Sequence, residues 1–138
     1  MKHLSFPFES STALQIKTGK KKDQLICELA TSDIEIYQSL NYRAKKDFKI
    51  PLVLQFESPI VQSLSLQKFS FPVEQICIDY RDGKVKKTGI ISPSKTQGKF
   101  IHGYSEFSLV ILAPVGTIKK YGITIDLSVF KLTNKVID

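Results

Sequence analysis

The chain has 138 residues, of which 42% are hydrophobic and 24% charged. It is long enough to bury a core without metal or disulfide staples and too apolar for a disordered chain, and it holds no apolar run near the roughly 18 residues that span a bilayer as a helix. The net charge of +7 comes almost wholly from lysine, because Arg43 and Arg81 are the only arginines. That balance disfavours bidentate phosphate reading, and no aromatics interleave with the lysines to stack on bases, so nucleic acid is a disfavoured partner.

Residues 1–10 read as a leader and 11–138 as one domain. The basic start lacks an apolar segment behind it, since Pro7 and Glu9 interrupt the place where one would begin. This argues against a signal peptide and for a cytoplasmic protein if Met1 is native; if the chain has been trimmed, export is the alternative. Residues 13–18 alternate, with Leu14 and Ile16 on one face, and residues 24–30 resume the alternation with Leu25, Cys27 and Leu29 inward. A lysine-rich turn at 19–23 joins them into a hairpin. Ser32-Asp33-Ile34-Glu35 has capping-box spacing, and Ile34, Tyr37 and Leu40 make a one-sided stripe, which predicts a helix ending near Tyr42. Residues 51–56 are short and nearly all apolar, the pattern of a central strand buried on both faces. Residues 60–67 give a further strand.

The stretch 70–91 is a proline-led strand, an Asp82-Gly83 reversal and a returning strand. Asp-Gly between apolar runs is the strongest short hairpin signal, because a two-residue turn there needs positive φ. Residues 92–103 read as the longest irregular loop. Residues 106–112 form a strand, and Pro114 opens a short helix with Val115, Ile118 and Tyr121 as its inner stripe and Gly122 just past its end. Residues 127–132 close the sheet. Cys27 and Cys77 each lie within an apolar run and read as buried thiols. The fold expected is mainly β (α+β), a compact sandwich or barrel-like sheet with two short helices.

Several strings stand in register with one family. Ser39-Leu40-Asn41-Tyr42-Arg43 falls where that family ends a helix in a motif like G-L-M-F-R, and Pro51-Leu52-Val53-Leu54-Gln55-Phe56 where it has a strand like M-L-F-V-F. Phe71-Pro72-Val73-Glu74-Gln75-Ile76-Cys77-Ile78-Asp79 corresponds to I-P-L-D-I-I-F-I-D, followed at once by its D-G-K-V turn. Val110-Ile111-Leu112, Val115-Gly116 and Tyr121-Gly122-Ile123 match a late strand, A-G and L-G-I. In these stretches, over roughly residues 14–133, the chain resembles the domain-of-unknown-function 192 family of small bacterial proteins. It departs from that family at F-W-M-K-N-T, which is here Leu64-Ser65-Leu66-Gln67-Lys68-Phe69, and at the helix-end glycine, which is Ser39. The resemblance implies a mainly β fold with two short helices and brings no catalytic residues.

Few residues suggest chemistry. His3 lies in the leader, and His102 stands alone where the long loop meets a strand, without the spaced partners that zinc or a triad needs. No H-E-x-x-H, paired C-x-x-C, nucleophile elbow or P-loop occurs. No catalytic residue, metal or cofactor is assigned. Glu74 shares a face with Ile76 and Ile78, so it is either an acid catalyst of raised pKa or half of a salt bridge to Arg43 or a lysine. Tyr42 and Arg43 offer an anion or sugar contact, or a cation that offsets a helix dipole. The leading expectation is a non-catalytic binding or accessory domain, monomeric or weakly dimeric. Its basic groove would lie near Tyr42, Arg43, Gln67, Lys68, Glu74 and His102 and take a small molecule or an anionic glycan. A hydrolase using Glu74 or His102 is one alternative. Binding of nucleic acid or another anionic polymer through the lysine clusters is the other.

Overall fold

A computed structural model of the chain describes residues 11–18, 21–30, 43–54, 63–66, 70–79, 81–93, 99–102, 108–125 and 128–133. The strands are β1 (Ser11–Thr18), β2 (Lys21–Ala30), β3 (Leu52–Leu54), β4 (Ser63–Leu66), β5 (Val73–Asp79), β6 (Val85–Ile91), β7 (Lys99–His102), β8 (Ser108–Ala113) and β9 (Ser128–Thr133). A 3-10 turn at Lys45–Asp47 precedes β3, and helix α1 (Thr117–Tyr121) follows β8. The helix expected over 32–42 lies outside the described residues.

Seven strands form one mixed sheet in the order β6-β5-β8-β3-β2-β1-β9. Among the described strands only β2 and β3 run parallel, pairing Glu28 with Leu52 and Ala30 with Leu54. The sheet curls into a half-barrel, and its outermost strands β6 and β9 approach each other. The mainly β class read from the sequence is the class the chain adopts. β4 and β7 pair separately, with Ser63 opposite His102. Strand β7 is a correction: residues 99–102 fall within the stretch expected to be irregular.

Alternation explains the core. The three residues of β3 are all buried, as expected of a central strand, and they divide between the faces of the sheet. Leu52 and Leu54 join Val73, Cys77 and Leu112 in one apolar cluster. Val53 joins Cys27, Ile76, Ile78 and Ile111 in the other. Each such side chain taken out of water contributes about 1.5–3 kcal/mol. The two cysteines are buried thiols, one in each cluster.

The Asp82-Gly83 reversal pairs β5 with β6 as expected, but not as a two-residue turn. The Asp79 amide donates to the Lys84 carbonyl at 3.1 Å, and the Gly83 amide donates back to the Asp79 carbonyl at 2.7 Å. The reversal therefore closes between Asp79 and Lys84, and Gly83 takes φ +75°, where a Cβ is strained. Two carboxylates hold the loop. Asp79 Oδ1 accepts the Arg81 amide at 2.9 Å and its Oδ2 accepts the Arg81 guanidinium at 2.7 Å. Asp82 Oδ1 accepts the Lys84 amide at 2.9 Å. The Arg81 hydrogen bonds lower the Asp79 carboxyl to about 2. Just beyond, the β5–β6 register slips between Cys77 and Ile78, a bulge that adds twist.

Helix α1 starts at Thr117, not at Pro114. The Pro114 carbonyl instead accepts the Thr117 amide at 3.2 Å and its hydroxyl at 2.6 Å. The end is as expected: Gly122 lies in the left-handed region at φ +62°. The Gly122 amide reaches the Lys119 carbonyl at 3.3 Å and the Ile123 amide reaches the Ile118 carbonyl at 3.0 Å, the double closure of a Schellman motif. Ile118 and Tyr121 pack onto the core cluster that holds Ile123. Val115, expected in the inner stripe, is 55% exposed, because it sits in the turn before the helix begins.

Candidate functional site

Arg43 is only 2% exposed, and Glu28 beside it 1%. Arg43 Nη1 donates to Glu28 Oε2 at 2.6 Å and Nη2 to Glu28 Oε1 at 3.1 Å, a fork-to-fork pair. The guanidinium also lies 5.5 Å from the centroid of the Phe48 ring, which meets Phe71 at 5.6 Å. Arg43 thus ties the segment after residue 42 to β2, with its charge inside the protein and not on a groove. Glu28 falls on the face of β2 opposite Leu25 and Cys27. That face is covered where β2 meets β3, which turns a position that alternation marks as outward into an interior one.

Glu74 is buried, and its Oε1 accepts the Ile118 amide at 2.9 Å. It therefore caps the first turn of α1 from a strand 44 positions earlier, satisfying an amide that the helix cannot. The salt bridge to Arg43 considered from sequence is not formed; Arg43 pairs with Glu28. The backbone of His102 belongs to β7, in the small second sheet. Tyr42, Gln67 and Lys68 lie outside the described residues. The buried Cys27 thiol is pushed up to about 12 by desolvation and by the adjacent Glu28, which removes its nucleophilic form. Among the described residues no three His, Cys, Asp or Glu side chains cluster as metal ligands, and no helix is long and apolar enough to cross a membrane.

The concave surface lies elsewhere, where the loop into β3, the middle of β2 and the turn into α1 meet. One cleft of about 540 Å³ has Ile26, Ile50, Pro51, Val115 and Tyr121 among its walls, with Lys49 and Lys120 beside them. A second, of about 400 Å³, is walled by Phe48, Phe71, Pro72, Pro114 and Val115, with Lys45. The two adjoin across Pro114 and Val115. Ile26 is 50% exposed, so two large aliphatic side chains face solvent in one depression. All three lysines are exposed. The Lys120 ammonium lies 5.4 Å from the centroid of the Tyr121 ring, a contact that holds it at the lip. Sequence reasoning missed this site, because its walls come from separate segments that only the topology brings together. The one local signal was Val115, an apolar residue beside a proline and a glycine.

No family model and no curated protein matches the chain. Two crystal structures share its fold. One, described as a "putative transcription regulator" from Sinorhizobium meliloti 1021, superposes with a TM-score of 0.67 at 16% identity, covering 95% of this chain and 98% of that one. The other, a protein of unknown function from Novosphingobium aromaticivorans DSM 12444, gives 0.70 at 12% identity over 88% and 84%. At such identities the likeness establishes the architecture and carries no activity with it.

Proposed function

We propose that the chain is a ligand-binding module, and that it is a divergent relative of the domain-of-unknown-function 192 family. The strings quoted above, three of which fall on β3, β5 and β8, support the kinship. One observation carries the binding reading: the paired clefts leave Val115 and Ile26 half exposed inside a depression rimmed by lysines. The smaller cleft, with apolar walls and a lysine, has the composition of small-molecule sites, and the two volumes, about 540 and 400 Å³, fall within their usual range of about 300–1,000 Å³.

A binding role is favoured over catalysis by how the buried carboxylates are used. Glu28 is held by Arg43, Glu74 by the Ile118 amide and Asp79 by Arg81. A general acid or base must instead direct its proton site at substrate. The test uses Nile red, a neutral apolar dye whose emission rises out of water. The wild-type protein should enhance it, and Val115→Glu should abolish the enhancement at an unchanged unfolding temperature. No enhancement by the wild type, or an undiminished one by the variant, would refute the reading.

A further inference from the structure

We infer that the clefts take a single-chain amphiphile with a carboxylate head, its tail over Val115 and its head between Lys49 and Lys120. This rests on the binding-module reading and adds the ligand's chemistry to it. The two clefts differ in character. Among the described residues the smaller is walled by two phenylalanines, two prolines and Val115, with Lys45 as the one charged residue. The larger carries an aliphatic floor together with Gln24, Lys49, Thr117 and Lys120. A ligand lying across Pro114 and Val115, which both clefts share, would pass from an apolar end to a basic one.

Charge complementarity fixes the sign of the head. Among the described residues, which include Asp23, Asp47 and Glu74, no acidic side chain lines either cleft, whereas three lysines do. The Ile118 amide at the start of α1 is already satisfied by Glu74, so the head would be read by ammonium groups. Lysine is a point charge without the planar fork that favours bidentate recognition, which suits a small singly charged head. Each methylene of the tail should tighten binding about threefold to fourfold.

The experiment titrates the full chain with decanoate, hexanoate and decanol, each below its micellar or solubility limit, by calorimetry and by displacement of Nile red. Decanoate should displace the dye and bind about a hundredfold tighter than hexanoate. The double variant K49Q/K120Q should weaken decanoate about tenfold and leave decanol unchanged. Both lysines are exposed, and unchanged unfolding temperatures would confirm that the variant folds. On the wild type alone, added salt should weaken decanoate and not decanol. Equal binding of decanoate and decanol, or dye binding that decanoate does not displace, would overturn the inference and leave the binding reading intact. Failure of both dye and decanoate would overturn both. A dimer in sedimentation that V115E dissolves would make a second copy the occupant, and that too would overturn the inference.

Discussion

Breaking the Glu28–Arg43 pair from either side should cost more stability than any other single polar change among the described residues. The guanidinium of Arg43 is essentially sealed from water and spends two N–H groups on Glu28, at 2.6 and 3.1 Å. Glu28→Gln takes away the carboxylate on which the buried guanidinium is forked, and breaking such a buried pair costs about 3–5 kcal/mol. Arg43→Met should cost a similar amount, with about 1 kcal/mol of it from the lost contact with the Phe48 ring. Replacing both, as E28L/R43M, removes both charges and adds two apolar groups to a covered face, so the double variant should lie within about 1 kcal/mol of wild type. The coupling free energy would then be at least about 5 kcal/mol. Urea unfolding with linear extrapolation measures all four proteins, and similar slopes would show that the native states remain comparable. A chain of this size has about 5–15 kcal/mol in total, so the single variants should be conspicuously fragile. Singles costing under about 1 kcal/mol, or a double equal to their sum, would refute the reasoning.

The remaining predictions concern other polar contacts. Glu74→Ala should destabilise by about 1–2 kcal/mol and speed hydrogen exchange at the Ile118 amide, while Glu74→Gln, which keeps an acceptor, should do less of both. Asp79 titrates lower in the folded chain than unfolded, so its contribution is complete above about pH 4 and is lost as the pH falls toward about 2. The stability advantage of wild type over Asp79→Asn should therefore shrink across that window. Because Arg81 is 57% exposed, the advantage should stay below about 1 kcal/mol. With its thiol at about 12, Cys27 should resist iodoacetamide at about pH 8 and label only as the protein unfolds, as peptide mass mapping would show.

What could be read from the residues was whatever repeats at a short period or marks a local reversal. Leu14, Ile16, Leu25 and Cys27 announced a hairpin with one apolar face, 51–56 a strand covered on both sides, and Asp82-Gly83 a turn. The misreadings share one physical origin, that side chains were placed by local pattern while partners arrive from far along the chain. Glu28 occupied the polar slot of an alternating strand, and nothing nearby signalled that the segment leading into a parallel neighbour would bring an arginine to it. Its cue was indirect: one of only two arginines, poised just before an all-apolar strand. Residues 99–102 looked irregular because the partner that makes them a strand, 63–66, is distant. Pro114 was a sound helix-start signal displaced by one turn, and that displacement put Val115 outside. The cleft was illegible for the same reason, since Ile26, Ile50 and Val115 become neighbours only once β8 inserts between β5 and β3.

The pairing of β1 with β9, which sets Ala13 opposite Thr133, bears on how the protein is born. A ribosome delivers β1 and β2 before the other strands, and β1's outer rim then waits without its neighbour until β9 at Ser128–Thr133 has emerged. At ordinary translation speed that wait lasts on the order of ten seconds. A bare rim of this kind is a template for aggregation unless something guards it. Lys17 and Lys22 stand opposite each other with both side chains in water, a like-charged pair that would repel any stray strand until the proper one arrives.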